Sequence, residues 1–269
     1  MPSKQRRQRQ KPNGSFGSPL AFQVAAQPAK MKWSYGVTTV PRRFDSGPGN
    51  EPILPRTLES LAKGGFDKPW LFVDGATSLP PHLSSAVEEK RVTFRAQPIR
   101  THGNWILSIY ELYIREPEAD RYALFQDDFV TYLNLRQYLE ACPYPDKGYW
   151  NCYTFNSNHT LAERGGFKRW YESNQMGRGA VALVFNRDVL MTLLSTRYMV
   201  ERPIDPHRGW RAVDGGIVTA LKREGVKEYV HNPSLVQHIG EISSMGNKPH
   251  QSAPAWKGES FNALDLLTS

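Results

Sequence analysis

The sequence predicts one α/β domain built on a mostly parallel central sheet flanked by helices. Three observations carry this. Short apolar runs alternate with helix-period segments from about Trp33 onward, the run "AVALVFN" (180 to 186) is apolar on both faces, and no strong break divides residues 33 to 245. At 269 residues, 39% hydrophobic and 12% aromatic, the chain can bury a large core.

The elements follow in order. "WSYGVTTV" (33 to 40) reads as a first strand and "LPRTLESLAKGG" (54 to 65) as a helix closed by a glycine pair. "PWLFVDG" (69 to 75) is a strand ending in Asp74, and "RVTFRAQP" (91 to 98) is a strand stopped by proline. In "NWILSIYELYIRE" (104 to 116), Ile106, Ile109, Tyr110 and Tyr113 share one helical face. The strand "YALF" (122 to 125) precedes a helix in "LNLRQYLEAC" (133 to 142) and a strand in "YWNCYTFN" (149 to 156). "HTLAERGGFKRWYESNQMGRG" (159 to 179) reads as a Gly- and Arg-rich loop. Helices at 187 to 195 and 214 to 224 lead into "KEYVHNPSLVQHIG" (227 to 240), and residues 246 to 269 read as a loop-rich extension.

Charge is concentrated at one end. Seven of the eight net positive charges belong to residues 1 to 32, which hold Lys4, Arg6, Arg7, Arg9, Lys11, Lys30 and Lys32 and no acid. That stretch reads as a disordered basic tail, either merely solvating or a weak electrostatic tether to an anionic membrane surface or other polyanion. The near-neutral remainder argues against specific nucleic-acid binding, which would place a basic face on the fold itself. No run of about 20 apolar residues occurs and residues 1 to 30 hold no apolar signal region, so a cytoplasmic protein, at most peripheral to membrane, is expected. Cys142 and Cys152 are too few for a disulfide framework or a cysteine zinc site.

Three motifs carry chemistry. The strand "YALF" runs through Gln126 into Asp127 and Asp128, where open sheets bind ligands; either these carboxylates hold a hard divalent cation, which prefers such oxygens, or one aspartate caps the next helix while the other faces water. His238 in "PSLVQHIG" is either structural or a third donor to an ion held by carboxylates and a diphosphate. Asp214 opens an apolar-periodic helix in "AVDGGIVTALKREG", where it serves as an N-cap or, ionised at a helix N-terminus, as a general base. Neither G-x-G-x-x-G nor a Walker A motif occurs, so metal and basic side chains would have to hold any phosphates.

Taken in order, "VTTVPRR", "FVDG", "NWILSIYELY", "ALFQDDF", "GRGAVALVFN", "AVDGG" and "PSLVQHIG" resemble the glycosyltransferases of the GT-A fold over roughly residues 33 to 245. "PSLVQHIGEISSMGN" is most similar to the N-acetylglucosaminyltransferase IV group. The resemblance implies a GT-A (Rossmann-like) domain that takes a nucleotide-sugar donor, usually with UDP, and uses Mn2+ or Mg2+ across the two phosphates. The acceptor would be a glycan, lipid-linked sugar or protein. It implies Asp128 and His238 as metal ligands, and Asp127 as a contact to ribose or metal-bound water. Thr39, Val40, Arg42 and Asp74 would lie near the base, and His102 and Asn104 near the nucleotide or its sugar. Gln126 stands where the usual D-x-D motif has its first aspartate. Asp214 would match the catalytic base of inverting members.

Phe167, Trp170 and Tyr171, with Arg164 and Arg169 nearby, offer an aromatic acceptor surface, the tryptophan being equally suited to a core. Two alternatives remain. A sugar-phosphate nucleotidyltransferase has the same needs but usually carries a Gly-rich loop with a lysine where this chain has "VPRRFDSGPGNEP"; a noncatalytic nucleic-acid or polyanion binder would act through the tail.

Overall fold

The computed structural model describes residues 31–41, 44, 52–83, 87–201, 213–239 and 252–268. All of these fall in one compact unit from Met31 to Ser269. Arg42 and the basic tail up to Lys30 lie outside the described residues.

The strands are β1 (Trp33–Thr39), β2 (Trp70–Asp74), β3 (Val92–Arg95), β4 (Arg121–Gln126), β5 (Phe129–Thr131), β6 (Gly148–Asn151), β7 (Arg169–Glu172), β8 (Ala182–Asn186), β9 (Lys227–Asn232) and β10 (Val236–His238). The helices are α1 (Ile53–Lys63), α2 (Arg100–Arg115), α3 (Leu135–Ala141), α4 (Asn156–Gly165), α5 (Arg187–Leu194), α6 (Arg197–Val200) and α7 (Val213–Arg223). Eight strands form one sheet in the order β3-β2-β1-β4-β8-β6-β9-β7, while β5 and β10 pair separately. β3, β2, β1 and β4 are mutually parallel; β8 runs against its neighbours β4 and β6, β9 follows β6, and β7 runs against β9. Mostly parallel strands with helices on both faces make this the Rossmann-like GT-A architecture that the sequence predicts.

Burial on both faces explains the unbroken apolar runs. Along β4, Ala123 and Phe125 point into one core cluster with α1 and α3, while Tyr122 and Leu124 point into the other with α2, α5 and α7. β8 divides likewise, Ala182 and Val184 against Leu183 and Phe185. The chain passes from β1 outward to β2 and β3, then returns to lay β4 on the other side of β1. That reversal opens a crevice at the carboxyl ends of β1 and β4, the usual ligand site of such sheets.

The stretch read as a loop from His159 to Gly179 instead holds most of α4 and all of β7. α4 buries only Asn158 and Ala162, so it shows no apolar stripe; Gly166, at φ 62°, ends it in the left-handed conformation. β7 seats Trp170 flat on Trp150, with ring centroids 4.7 Å apart and planes 14° off parallel, and Tyr171 is buried. Tyr171 is therefore a core residue and Trp170 packs partly buried against the core, while Phe167 is exposed. Residues 252–268 dock on the core: Trp256 stacks on Tyr132 at 4.2 Å and 3°, Ala263 and Leu266 are buried, and the Gln237 side chain accepts from the Ala253 amide at 2.8 Å.

Candidate active site

The two aspartates sit at the carboxyl end of β4, each 7% exposed, and their side chains engage different partners. Thr39, which ends β1, donates its hydroxyl to Asp127 Oδ2 at 2.5 Å. Asp128 Oδ2 lies 3.2 Å from His238 Nε2. The small sheet produces that second contact, because His238 of β10 stands opposite Phe129 of β5, the residue after Asp128, and the Ile239 amide donates to the Asp128 carbonyl at 2.9 Å. From α1, the Thr57 hydroxyl donates toward the carbonyls of Asp127 and Phe129, both at 2.9 Å. The turn is thus pinned by β1, β10 and α1, and its two carboxylates meet different partners.

Asp128 and His238 could supply two of the donors to a divalent cation. A carboxylate oxygen and an imidazole nitrogen about 3 Å apart match adjacent corners of an octahedron with bonds of about 2.1 Å. Among the described residues no three His, Cys, Asp or Glu side chains cluster as a cage for an ion. Few protein donors, with phosphates and water completing the shell, is the arrangement magnesium and manganese adopt on nucleotides.

Asp214 stands in the first turn of α7. Its Oδ2 accepts the Gly179 amide at 2.8 Å. Two glycines permit this approach. A Cβ on Gly177 (φ 61°) would lie 2.5 Å from the Asp214 carbonyl oxygen, and one on Gly179 (φ 75°) would lie 2.4 Å from the Tyr153 ring. Tyr153 in turn links the two acidic centres: burial, and after it the Asp128 charge, pushes its hydroxyl up to about 12. From Gly179 the chain returns to β4, since the Gln126 amide donates to the Val181 carbonyl at 2.8 Å.

The remaining predicted residues are placed as follows. Val40 directly follows Thr39 and is partly buried. Asp74 is 4% exposed and accepts the amides of Ile99 and Arg100 at 2.8 and 2.7 Å, so its carboxylate anchors the start of α2. Asn104 is equally internal: its amide donates to the Phe72 carbonyl at 3.1 Å and its oxygen accepts from Arg95 Nε at 2.8 Å. Asn104 therefore ties α2 to β2 and β3. His102 is half-buried with its ring edge-on to Tyr198 at 5.4 Å, and burial lowers its pKa, favouring the neutral ring. Tyr198 also packs on Gly216, so His102 belongs to the Asp214 side of the site.

Sequence reasoning missed Thr57, Asn151, Tyr153 and Glu228. Only Asn151, a polar residue inside an otherwise apolar buried strand, left a signal. Glu228 sits on β9, 2% exposed, where strand alternation gives no warning of a buried acid.

Comparison with known proteins places the fold. No known protein-family profile and no curated protein sequence matches the chain. Among solved structures it resembles GalNAc-T7 bound to UDP, GalNAc and Mn2+, with a TM-score of 0.53 and 12% identity over 90% of this chain and 48% of that one. This chain thus spans about half the length of that protein. Also similar are a mannosyltransferase from Pyrobaculum calidifontis in complex with GDP-Man and Mn2+ (TM-score 0.47, 14% identity, 79% of this chain and 58% of that) and a 4-diphosphocytidyl-2C-methyl-D-erythritol synthase (TM-score 0.44, 12% identity, 82% and 94%). The fold is one that enzymes using nucleotide-sugars adopt.

Proposed function

We propose that the chain is a metal-dependent glycosyltransferase that moves a sugar from a UDP-sugar to an acceptor hydroxyl with inversion. One juxtaposition supports this reading: on a GT-A sheet, Asp128 at the carboxyl end of β4 lies 3.2 Å from His238, a pair suited to a divalent cation, and Asp214 in the first turn of α7 accepts the amide of Gly179, two residues before the Val181 carbonyl that accepts the Gln126 amide of β4.

In this reading Asp128 and His238 hold Mn2+ or Mg2+, which when bound offsets the charge developing on the leaving diphosphate. Asp127, fixed by Thr39, faces the ribose or a metal-bound water, and Thr39 and Val40 lie near the base. Asp74 and Asn104 serve that pocket by holding the start of α2. His102, neutral, borders the sugar. Asp214 accepts the proton of the acceptor hydroxyl as its oxygen attacks the anomeric carbon from the face opposite the diphosphate. The acceptor is a glycan, lipid-linked sugar or protein. The similarity of the 233 to 247 segment to the N-acetylglucosaminyltransferase IV group favours an N-acetylhexosamine donor.

The test is turnover of UDP-glucose, UDP-galactose, UDP-N-acetylglucosamine and UDP-N-acetylgalactosamine with manganese, scored as UDP release. Asp214→Asn is expected to lower kcat about a hundredfold or more while binding UDP as the wild type does. Unchanged turnover in Asp214→Asn would remove the base from the mechanism. Accumulation of a UDP-sugar from UTP and a sugar phosphate would favour the nucleotidyltransferase instead.

A further inference from the structure

The geometry points to Glu228 as a positioning residue that orients Asp214 through Asn151 and the Arg178–Gly179 peptide, an inference that rests on the transferase reading above. Glu228 is an acid on an inner strand, and no cation is among its hydrogen-bond partners. Its Oε1 accepts from Asn151 Nδ2 at 3.1 Å and from the Tyr149 hydroxyl at 3.2 Å; its Oε2 accepts from the Ser173 hydroxyl at 2.7 Å. Burial pushes its carboxyl up, and these three donors oppose that shift. A buried acid is costly to keep, so what its partners do is informative.

They hold the loop that carries Gly179. Asn151 Nδ2, besides meeting Glu228, donates to the Arg178 carbonyl at 3.2 Å, and Asn151 Oδ1 accepts the Tyr153 amide at 3.1 Å. The other end of the same Arg178–Gly179 peptide is the amide that Asp214 Oδ2 accepts. A peptide is planar, so fixing its carbonyl fixes the direction of its N–H. On the far side, Ser173 accepts the Gln175 amide at 3.0 Å, and the Gln175 side chain bonds both the carbonyl and the amide of Glu228, at 2.9 and 3.1 Å. The 173 to 179 loop is therefore moored to Glu228 at its start and, through Asn151, at its end. Holding one Asp214 oxygen on Gly179 aims the other at the acceptor hydroxyl, and sub-ångström errors in such aim are expensive in rate.

A double-mutant cycle on the UDP-sugar that the wild type releases fastest tests this. Glu228→Ala is expected to lower kcat about tenfold or more with the calorimetric affinity for UDP unchanged. The same substitution should cost less than twofold in an Asp214→Asn background, because a residue acting through Asp214 has nothing left to aim. Glu228→Gln, which still accepts from Asn151, is expected to stay within about threefold of wild type. If Glu228→Ala does not fold, Asn151→Ala breaks the same link with the acid in place and carries the same expectations. An equal penalty with and without Asp214, or loss of UDP affinity in step with kcat, would overturn the role of Glu228 and leave the transferase reading standing. No release of UDP from any of the four donors by the wild type would overturn that reading and this inference with it.

Discussion

At the scale of residues, two adjacent aspartates are tolerated because the chain separates their duties. Asp127 turns toward the Thr39 hydroxyl and Asp128 toward the His238 ring. A different histidine shows how burial alone fixes a protonation state. His231 is fully buried, with Nδ1 2.6 Å from the Pro233 carbonyl and Nε2 2.6 Å from the Tyr138 hydroxyl. The carbonyl can only accept, so Nδ1 carries the proton and Nε2 accepts from the tyrosine. Burial pulls its pKa to about 4 from an ordinary 6.5. Between those values the unfolded chain binds a proton that the folded chain refuses, so stability is present above the upper value and falls as pH drops through the window. The loss should reach the order of 3 kcal/mol at pH 4. Urea unfolding of wild type and His231→Gln across pH 6.5 to 4.5 should show the wild type losing ground to the variant; parallel curves would contradict this.

At the scale of elements, the 173 to 179 loop and the first turn of α7 form the part of the site on which catalysis would depend most. Gly179 allows the close pass beside Tyr153, and its positive φ disfavours any side chain. Gly179→Ala is expected to cost about 1–3 kcal/mol in stability and to lower turnover of a UDP-sugar more than it lowers UDP affinity; thermal unfolding and kinetics on one preparation would check both. How much of this the sequence disclosed depended on what each element buries. β4 and β8 were legible because both faces are apolar, β1 because Trp33, Tyr35 and Val37 alternate onto one core, and α2 because its buried residues recur at helical spacing. α4 and β7 were not, since α4 buries two small or polar residues and β7 spends its tryptophan against another strand. β5 and β10 are three residues each and exist through each other, a pairing that joins positions more than a hundred residues apart. The candidate ligands Asp128 and His238 were visible through resemblance, whereas the network from Glu228 to Asp214 depends on loop geometry that residue types do not announce.

At the scale of the whole molecule, six strands running one way bring the ends of β1 and β4 together at the switch point, and the two antiparallel members, β7 and β8, start at that same edge of the sheet and run away from it. The charge distribution agrees with that division: with nearly all the net charge in residues 1 to 32, the folded part is close to neutral and any attraction for a nucleotide-sugar must be local. No helix among the described residues is long and apolar enough to cross a membrane. Binding of a nucleoside diphosphate at the carboxyl end of β4 through a divalent ion is tested by calorimetric titration of UDP into the full chain with manganese and with chelator, for wild type and Asp128→Ala. Saturable binding that requires manganese and weakens about tenfold or more in the variant is expected. Manganese-independent binding that Asp128→Ala leaves intact, or no binding of UDP at all, would contradict it.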